Sequence, residues 1–115
     1  MTLYQAACHC GAVKYQVEGE FEYLIECNCS ICSRRAHILW FVPLASLQFE
    51  SGEDQLTNYK FGKRRLNHRS CQICSTAMFT HGDDKGTEKS GLNIRTFADI
   101  DITALDITQY DGKAL

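Results

Sequence analysis

Seven cysteines stand in this chain of 115 residues, and each belongs to a group. The groups are Cys8-His9-Cys10-Gly11, Cys27-Asn28-Cys29-Ser30-Ile31-Cys32 and Cys71-Gln72-Ile73-Cys74. Zinc takes thiolate sulfurs at about 2.3 Å and tetrahedral angles, so two cysteines one or two residues apart chelate one ion if the backbone turns sharply between them. An extended strand keeps residues i and i+2 on one face but too far apart for a single metal. Each Cys-x-Cys is therefore expected at a turn or a strand end, and Gly11 after Cys10 suits such a turn.

Seven divides naturally into four and three. A closed site needs four protein ligands, and Cys8, Cys10, Cys71 and Cys74 supply them while stapling the N-terminal strand to the segment around residue 71. Cys27, Cys29 and Cys32 form a compact three-sulfur group whose fourth position is open to water, a substrate thiolate or a carbonyl oxygen. Two plainer readings of this group stand beside that one: three unmetallated thiols, or a second structural zinc completed by His9, His37, His68 or His81. Taken singly, each histidine reads as a surface or satisfied core residue. A thioredoxin-like redox pair at Cys71 and Cys74 is disfavoured, because that motif opens a helix and Thr76 to Thr80 reads as strand.

The bulk composition supports metal binding. The hydrophobic share of 44% and aromatic share of 10% are those of a folded chain, and the length is expected to make one domain over residues 1–115. The opening Met1-Thr2-Leu3-Tyr4-Gln5 lacks the basic start and apolar run of a signal peptide. The longest apolar run, Ile38 to Leu44, is too short to span a bilayer. A cytoplasmic location without membrane contact is expected, and in a reducing compartment clustered cysteines serve metals rather than disulfides. The net charge of -2 offers no general attraction to nucleic acid.

The elements that must position these groups read mainly as short strands. Val13, Tyr15 and Val17 alternate with polar residues toward Gly19; Phe21 to Ile25 leads into the Cys27 group; Ile38 to Val42 reads as a buried strand ending at Pro43. Leu47 to Phe49 and Leu56 to Phe61 suggest a hairpin across Ser51-Gly52-Glu53-Asp54. Leu66 to Arg69 leads into Cys71 and Ala77 to Thr80 leads away from Cys74, which makes a knuckle between two strands. Gly82 to Gly91 has the composition of an exposed charged loop before a strand at Leu92 to Phe97. Ile100, Ile102, Leu105 and Ile107 among Asp99, Asp101 and Asp106 read as a last half-buried strand, since the acids lack the glycine and terminal glutamate of a calcium loop.

Two basic features lie near the groups. Arg34 and Arg35 follow Cys32 and can balance three thiolates on a zinc or meet a substrate carboxylate, although an ordinary solvated pair is the simpler reading. Lys63, Arg64, Arg65, His68 and Arg69 form a dense basic stretch, with only Tyr59 and Phe61 nearby for stacking. A nucleic-acid partner is not expected from it.

The pattern Cys8-x-Cys10-Gly11, Cys27-x-Cys29-Ser30-x-Cys32 and Cys71-x-x-Cys74 spans nearly the whole chain. It resembles the glutathione-dependent formaldehyde-activating enzyme family, which includes centromere protein V. The resemblance implies an Mss4-like, mainly β fold of short antiparallel strands, with structural zinc on the outer pairs and catalytic zinc on Cys27, Cys29 and Cys32, two Zn²⁺ per chain. It also implies a carbon-sulfur lyase that adds a glutathione-like thiol to a formaldehyde-like aldehyde, or reverses the addition. Since fold does not determine function, a non-enzymatic zinc scaffold is the alternative. Family members usually carry glycine directly after the last cysteine, where a positive φ is favoured; Ser75 stands there.

Overall fold

The computed structural model describes residues 2–21, 24–62, 65–98 and 100–112. In chain order the strands are β1 (Thr2–Ala7), β2 (Lys14–Gly19), β3 (Leu24–Cys27), β4 (Leu39–Pro43), β5 (Gln48–Ser51), β6 (Leu66–Ser70), β7 (Ala77–Asp84), β8 (Thr87–Asn93) and β9 (Ile107–Tyr110), with one short helix, α1 (Cys32–Arg35). The structure is mainly β with antiparallel sheets, as expected. A three-stranded sheet runs β1-β2-β5 and a six-stranded sheet runs β6-β7-β8-β4-β3-β9. Among the described residues the one departure from antiparallel strand pairing is β3 with β9, which run parallel.

The two sheets face a shared core. On β2 the alternation is literal: Tyr15 and Val17 are buried while Lys14 and Glu18 face solvent. Aromatic rings join the layers, with Tyr4 stacked on Phe21 at 4.5 Å, Phe21 edge-on to Trp40 at 4.7 Å and Tyr15 edge-on to Phe79 at 5.9 Å. Each such pair adds about 0.5–1.5 kcal/mol beyond area burial. The close approach requires a bare Gly19, where a Cβ would lie 2.8 Å from Trp40 Cζ2.

Several expectations change. The charged stretch from Gly82 to Gly91 is a hairpin rather than a loop: β7 and β8 pair through Asp84 and Thr87, and only Lys85 and Gly86 form the reversal. Both turn residues have positive φ, 55° and 90°, the geometry that matches strand twist in a two-residue hairpin. Solvated strand ends bearing an ion pair between Lys89 Nζ and Asp84 Oδ2 at 3.2 Å account for the charge. The expected hairpin over residues 47–61 is absent, because β5 pairs with β2 instead. Leu56 and Tyr59 make single bridges to Cys71 and His68, and the Asn67 side chain accepts from Tyr59 N–H at 3.1 Å.

The remaining differences are local. The strand expected at 21–25 begins at Leu24; Phe21 precedes it, and residues 22 and 23 lie outside the described residues. The strand expected at 92–97 gives way after Asn93 to a 3₁₀ turn, Ile94–Thr96. The last expected strand is split between a second 3₁₀ turn, Ile102–Ala104, and β9. Asp101 caps that turn by accepting from Thr103 N–H at 3.1 Å, and Asp99 lies outside the described residues. β1 carries a weak strand signal, since its inward face is only Tyr4 and Ala6 while the apolar Leu3 is exposed. No helix among the described residues is long and apolar enough to cross a membrane.

Candidate metal centres and the adjoining cavity

The outer pairs meet. Cys8 follows β1 and Cys10 sits in the turn before β2, where Gly11 has φ 82°. Cys71 follows β6, and Cys74 precedes Ser75, which does adopt the positive φ expected there, 68°. The turn closes through Ser75 N–H to Cys71 O at 2.8 Å and Cys71 N–H to Thr76 O at 3.0 Å. All four sulfurs lie within 4.8 Å of one another.

The separations fit one ion. A tetrahedron with bonds of about 2.3 Å has sulfur–sulfur edges of about 3.8 Å. Cys8 Sγ is 3.6 Å from Cys10 Sγ, which is 3.8 Å from Cys71 Sγ. Backbone N–H groups support the anionic form, from Val13 to Cys8 Sγ at 3.3 Å and from Ile73 to Cys71 Sγ at 3.4 Å. The site joins the turn between β1 and β2 in one sheet to the turn between β6 and β7 in the other.

Titration within this tetrad shows the crowding of like charge. The Thr76 hydroxyl, with N–H groups of Cys10 and Thr76, holds Cys74 down at about 5. The Ala12 N–H favours the Cys10 thiolate, but desolvation and the other three sulfurs prevail and push it up to about 11. Burial disfavours the Cys8 thiolate, yet bonds from Val13, Cys10 and Cys71 outweigh it and lower its pKa. A divalent cation held by these four sulfurs would remove the conflict by favouring the thiolate of each.

The central triplet also converges. Cys27 ends β3, Cys29 lies in the following turn and Cys32 opens α1, with the three sulfurs within 4.8 Å of one another. Cys29 N–H donates to Cys27 Sγ at 3.4 Å and Ser33 N–H to Cys29 O at 2.9 Å. The end of β9 closes over them: Asn28 N–H donates to Tyr110 O at 3.2 Å, and a Cβ on Gly112 would lie 2.5 Å from Cys27 Sγ. Burial, then Cys29 and Cys27, raise the Cys32 pKa. At Cys29 burial is outweighed by bonds from Cys32, Cys27 and the Ile31 N–H, so its pKa falls.

His37 is the neighbour that spacing alone did not assign. It is 4% exposed, and its Nε2 lies 3.3 Å from Cys32 Sγ. Burial, then Arg35 and His68, hold it down at about 4, and beside a metal-bound Cys32 thiolate its Nε2 would be the donor. It does not join the three mutually close sulfurs, and no other histidine among the described residues does. His9 is exposed beside the tetrad. Arg34 donates to Ser30 O at 2.8 Å, and Arg35 reaches Ser70 Oγ at 3.3 Å.

A cavity of about 600 Å³ adjoins the triplet, lined by Cys27, Cys29 and Cys32 together with Ile25, Leu39 and Phe41 and by parts of β6, β7 and β8. His68 and His81 also line it, and burial lowers the pKa of both first, with Arg35 and Arg69 respectively adding to it. Tyr59 and Phe61, the aromatics beside the basic stretch, stack on one another, and Phe61 stacks on His68 at 5.5 Å. Arg69 is turned to Thr57 O at 2.9 Å and to His81 Nε2 at 3.3 Å. Lys63 and Arg64 lie outside the described residues.

The chain is similar to known proteins over most of its length. The family model described as glutathione-dependent formaldehyde-activating enzyme matches residues 3–111. A crystal structure of a Rhodobacter sphaeroides protein superposes with a TM-score of 0.81 at 30% sequence identity, covering 92% of this chain and 98% of that one.

Proposed function

Since the chain belongs to the glutathione-dependent formaldehyde-activating enzyme family, we propose that it is a zinc-dependent carbon-sulfur lyase-type enzyme joining a thiol to an aldehyde or reversing that addition. In this reading Cys8, Cys10, Cys71 and Cys74 hold a structural zinc, and Cys27, Cys29 and Cys32 hold a catalytic one. The observation that carries it is the asymmetry between the clusters. The tetrad has its four ligands and staples two sheets, whereas the triplet has three and borders a cavity.

A zinc ion on the triplet would supply Lewis acidity at an open position, which lowers a thiol's pKa and polarises a carbonyl. The protein's own groups do the rest. His37 Nε2, 3.3 Å from Cys32 Sγ, holds that sulfur's orientation and offsets part of its charge, the role of an outer partner to a ligand. Ile25 and Leu39, both buried, give the space beside the sulfurs an apolar wall, and a less polar surrounding strengthens electrostatic interactions there. His68 and His81 line the same space; His68 as a neutral imidazole can take the thiol proton and return it, whereas His81 Nε2 already accepts from Arg69 at 3.3 Å. In the addition the sulfur–carbon bond forms as the carbonyl π bond breaks, and the thiol proton ends on the former carbonyl oxygen.

The test is adduct exchange by NMR. Glutathione and formaldehyde equilibrate spontaneously, and the zinc-loaded protein should accelerate their exchange in a way that Cys29→Ser abolishes. If exchange in the presence of protein matches buffer for this pair and for other thiols and aldehydes, the lyase reading is wrong and the chain is a zinc-binding scaffold.

A further inference from the structure

The cavity beside Cys27 has a rim that neither metal binding nor small-aldehyde chemistry accounts for. Large apolar side chains well exposed among the described residues are Leu3, Phe41, Tyr59, Phe61, Leu66, Ile73 and Tyr110. Phe41, Phe61, Leu66 and Tyr110 all line this one cavity. They come from β4, the segment before β6, β6 itself and β9, so four separate parts of the chain bring apolar groups to one mouth. Scattered exposed apolar residues are ordinary, but a gathered set marks a binding surface.

The interior continues the theme. Ile25 and Leu39 form buried wall, and bare backbone at Gly91 opens the space, since a Cβ there would lie 3.0 Å from Phe41 Cε1 and 3.3 Å from Thr80 Cγ2. Among the described lining residues the charged ones are Asp83, Asp84 and Lys89, and Lys89 is already held by Asp84 at 3.2 Å. The volume of about 600 Å³ is that of a site for a ligand of drug size.

We propose, resting on the lyase reading above, that the substrate adduct carries an apolar, ring-sized substituent seated among Leu39, Phe41, Phe61 and Leu66. The carbon-sulfur bond then lies toward Cys27, Cys29 and Cys32. The chemistry at that bond is unchanged: sulfur joins carbonyl carbon and the thiol proton passes to oxygen. The substituent belongs to either the aldehyde or the thiol, and experiment separates the two.

The experiment uses the zinc-loaded full chain. Exchange rates are measured for glutathione with formaldehyde, glutathione with benzaldehyde, and phenylmethanethiol with formaldehyde. Binding of two unreactive thioethers, benzyl methyl sulfide and S-methylglutathione, is followed by amide chemical shifts. One apolar pair should be accelerated at least tenfold more than glutathione with formaldehyde, and which pair it is names the source of the ring. Benzyl methyl sulfide should bind at least tenfold tighter than S-methylglutathione, shifting Leu39 and Gly91, and Phe41→Ser or Leu66→Ser, both at exposed positions, should each weaken it about fivefold.

If glutathione with formaldehyde is accelerated as much as either apolar pair, the inference is overturned and the lyase reading stands. If no pair is accelerated while benzyl methyl sulfide binds as stated, the lyase reading falls and the ligand class stands. Failure of the thioether to bind overturns the inference. So does a concentration-dependent dimer that Phe41→Ser dissociates, because the rim would then belong to a second copy of this chain.

Discussion

Gly112→Ala tests how tightly the chain end encloses the central triplet. An alanine Cβ there would sit 2.5 Å from Cys27 Sγ and 3.2 Å from Cys29 Cβ, against ordinary contacts of 3.4–4 Å. The sulfur or the backbone must therefore yield by about 0.9 Å, whereas a working metal site tolerates about 0.2 Å in ligand distance. The backbone is held on the other side. β9 pairs with β3 from Ile107 to Tyr110, and Asn28 Nδ2 donates to Asp111 Oδ1 at 2.9 Å. Cys27 is thus the group expected to move, at a cost of about 10- to 100-fold in affinity for one metal. Zinc per chain, measured under rising chelator, should show one ion released at about 10- to 100-fold lower chelator than in the wild type and the other retained. Two equally retentive ions in Gly112→Ala would refute the reasoning.

Three further outcomes follow from the same geometry. Ser75 holds φ 68°, which costs a residue with a side chain about 1–2 kcal/mol, while glycine adds about 0.5–1 kcal/mol of chain entropy. Ser75→Gly should therefore stabilise by about 0.5–1 kcal/mol in a reversible urea melt of the zinc-loaded protein, and a loss of stability would contradict the strain. His68 has a pKa below the ordinary 6.5, first through burial and then through Arg35. As pH falls below 6.5 the unfolded chain gains a proton that the folded chain refuses, so stability drops. His68→Gln should flatten that slope between pH 7 and 5, and an unchanged slope would show that His68 contributes none of it. Stripping the metal with a strong chelator should lower the melting midpoint by more than about 10 °C, since the tetrad links two sheets, with zinc restoring it; a midpoint unmoved by chelation would remove the structural role.

Much of the site was legible because ligand chemistry constrains spacing locally. Cys8 with Cys10 and Cys71 with Cys74 must lie at turns to chelate, and Gly11 has the positive φ that such a turn calls for; at Ser75 the positive φ is that of the family's usual glycine and not a consequence of spacing. Val13, Tyr15 and Val17 announced an inward face that β2 keeps. Charge misled at Gly82 to Gly91, since Asp83 and Glu88 are as well solvated on a projecting hairpin as in a loop. At Leu56 to Phe61, alternation could not tell a paired strand from a segment touching β6 at single bridges. The cavity was invisible for a different reason. Leu39, Leu66 and Gly91 meet only after β4, β6 and β8 take their places in the sheet, and the contact of His37 with Cys32 depends on the left-handed turn at Ala36, φ 54°, that ends α1.

The central claim is that the two cysteine clusters hold separate metals with separate tasks. It is tested most directly by counting zinc in the purified wild type and in Cys27→Ser and Cys71→Ser, with thermal melts and adduct exchange on the same samples. The wild type should carry two ions. Cys27→Ser should keep one, melt within a few degrees of the wild type and lose exchange activity; Cys71→Ser should lose the structural ion and most of its stability. A wild type that carries one zinc, all of which survives in Cys27→Ser, would contradict the claim.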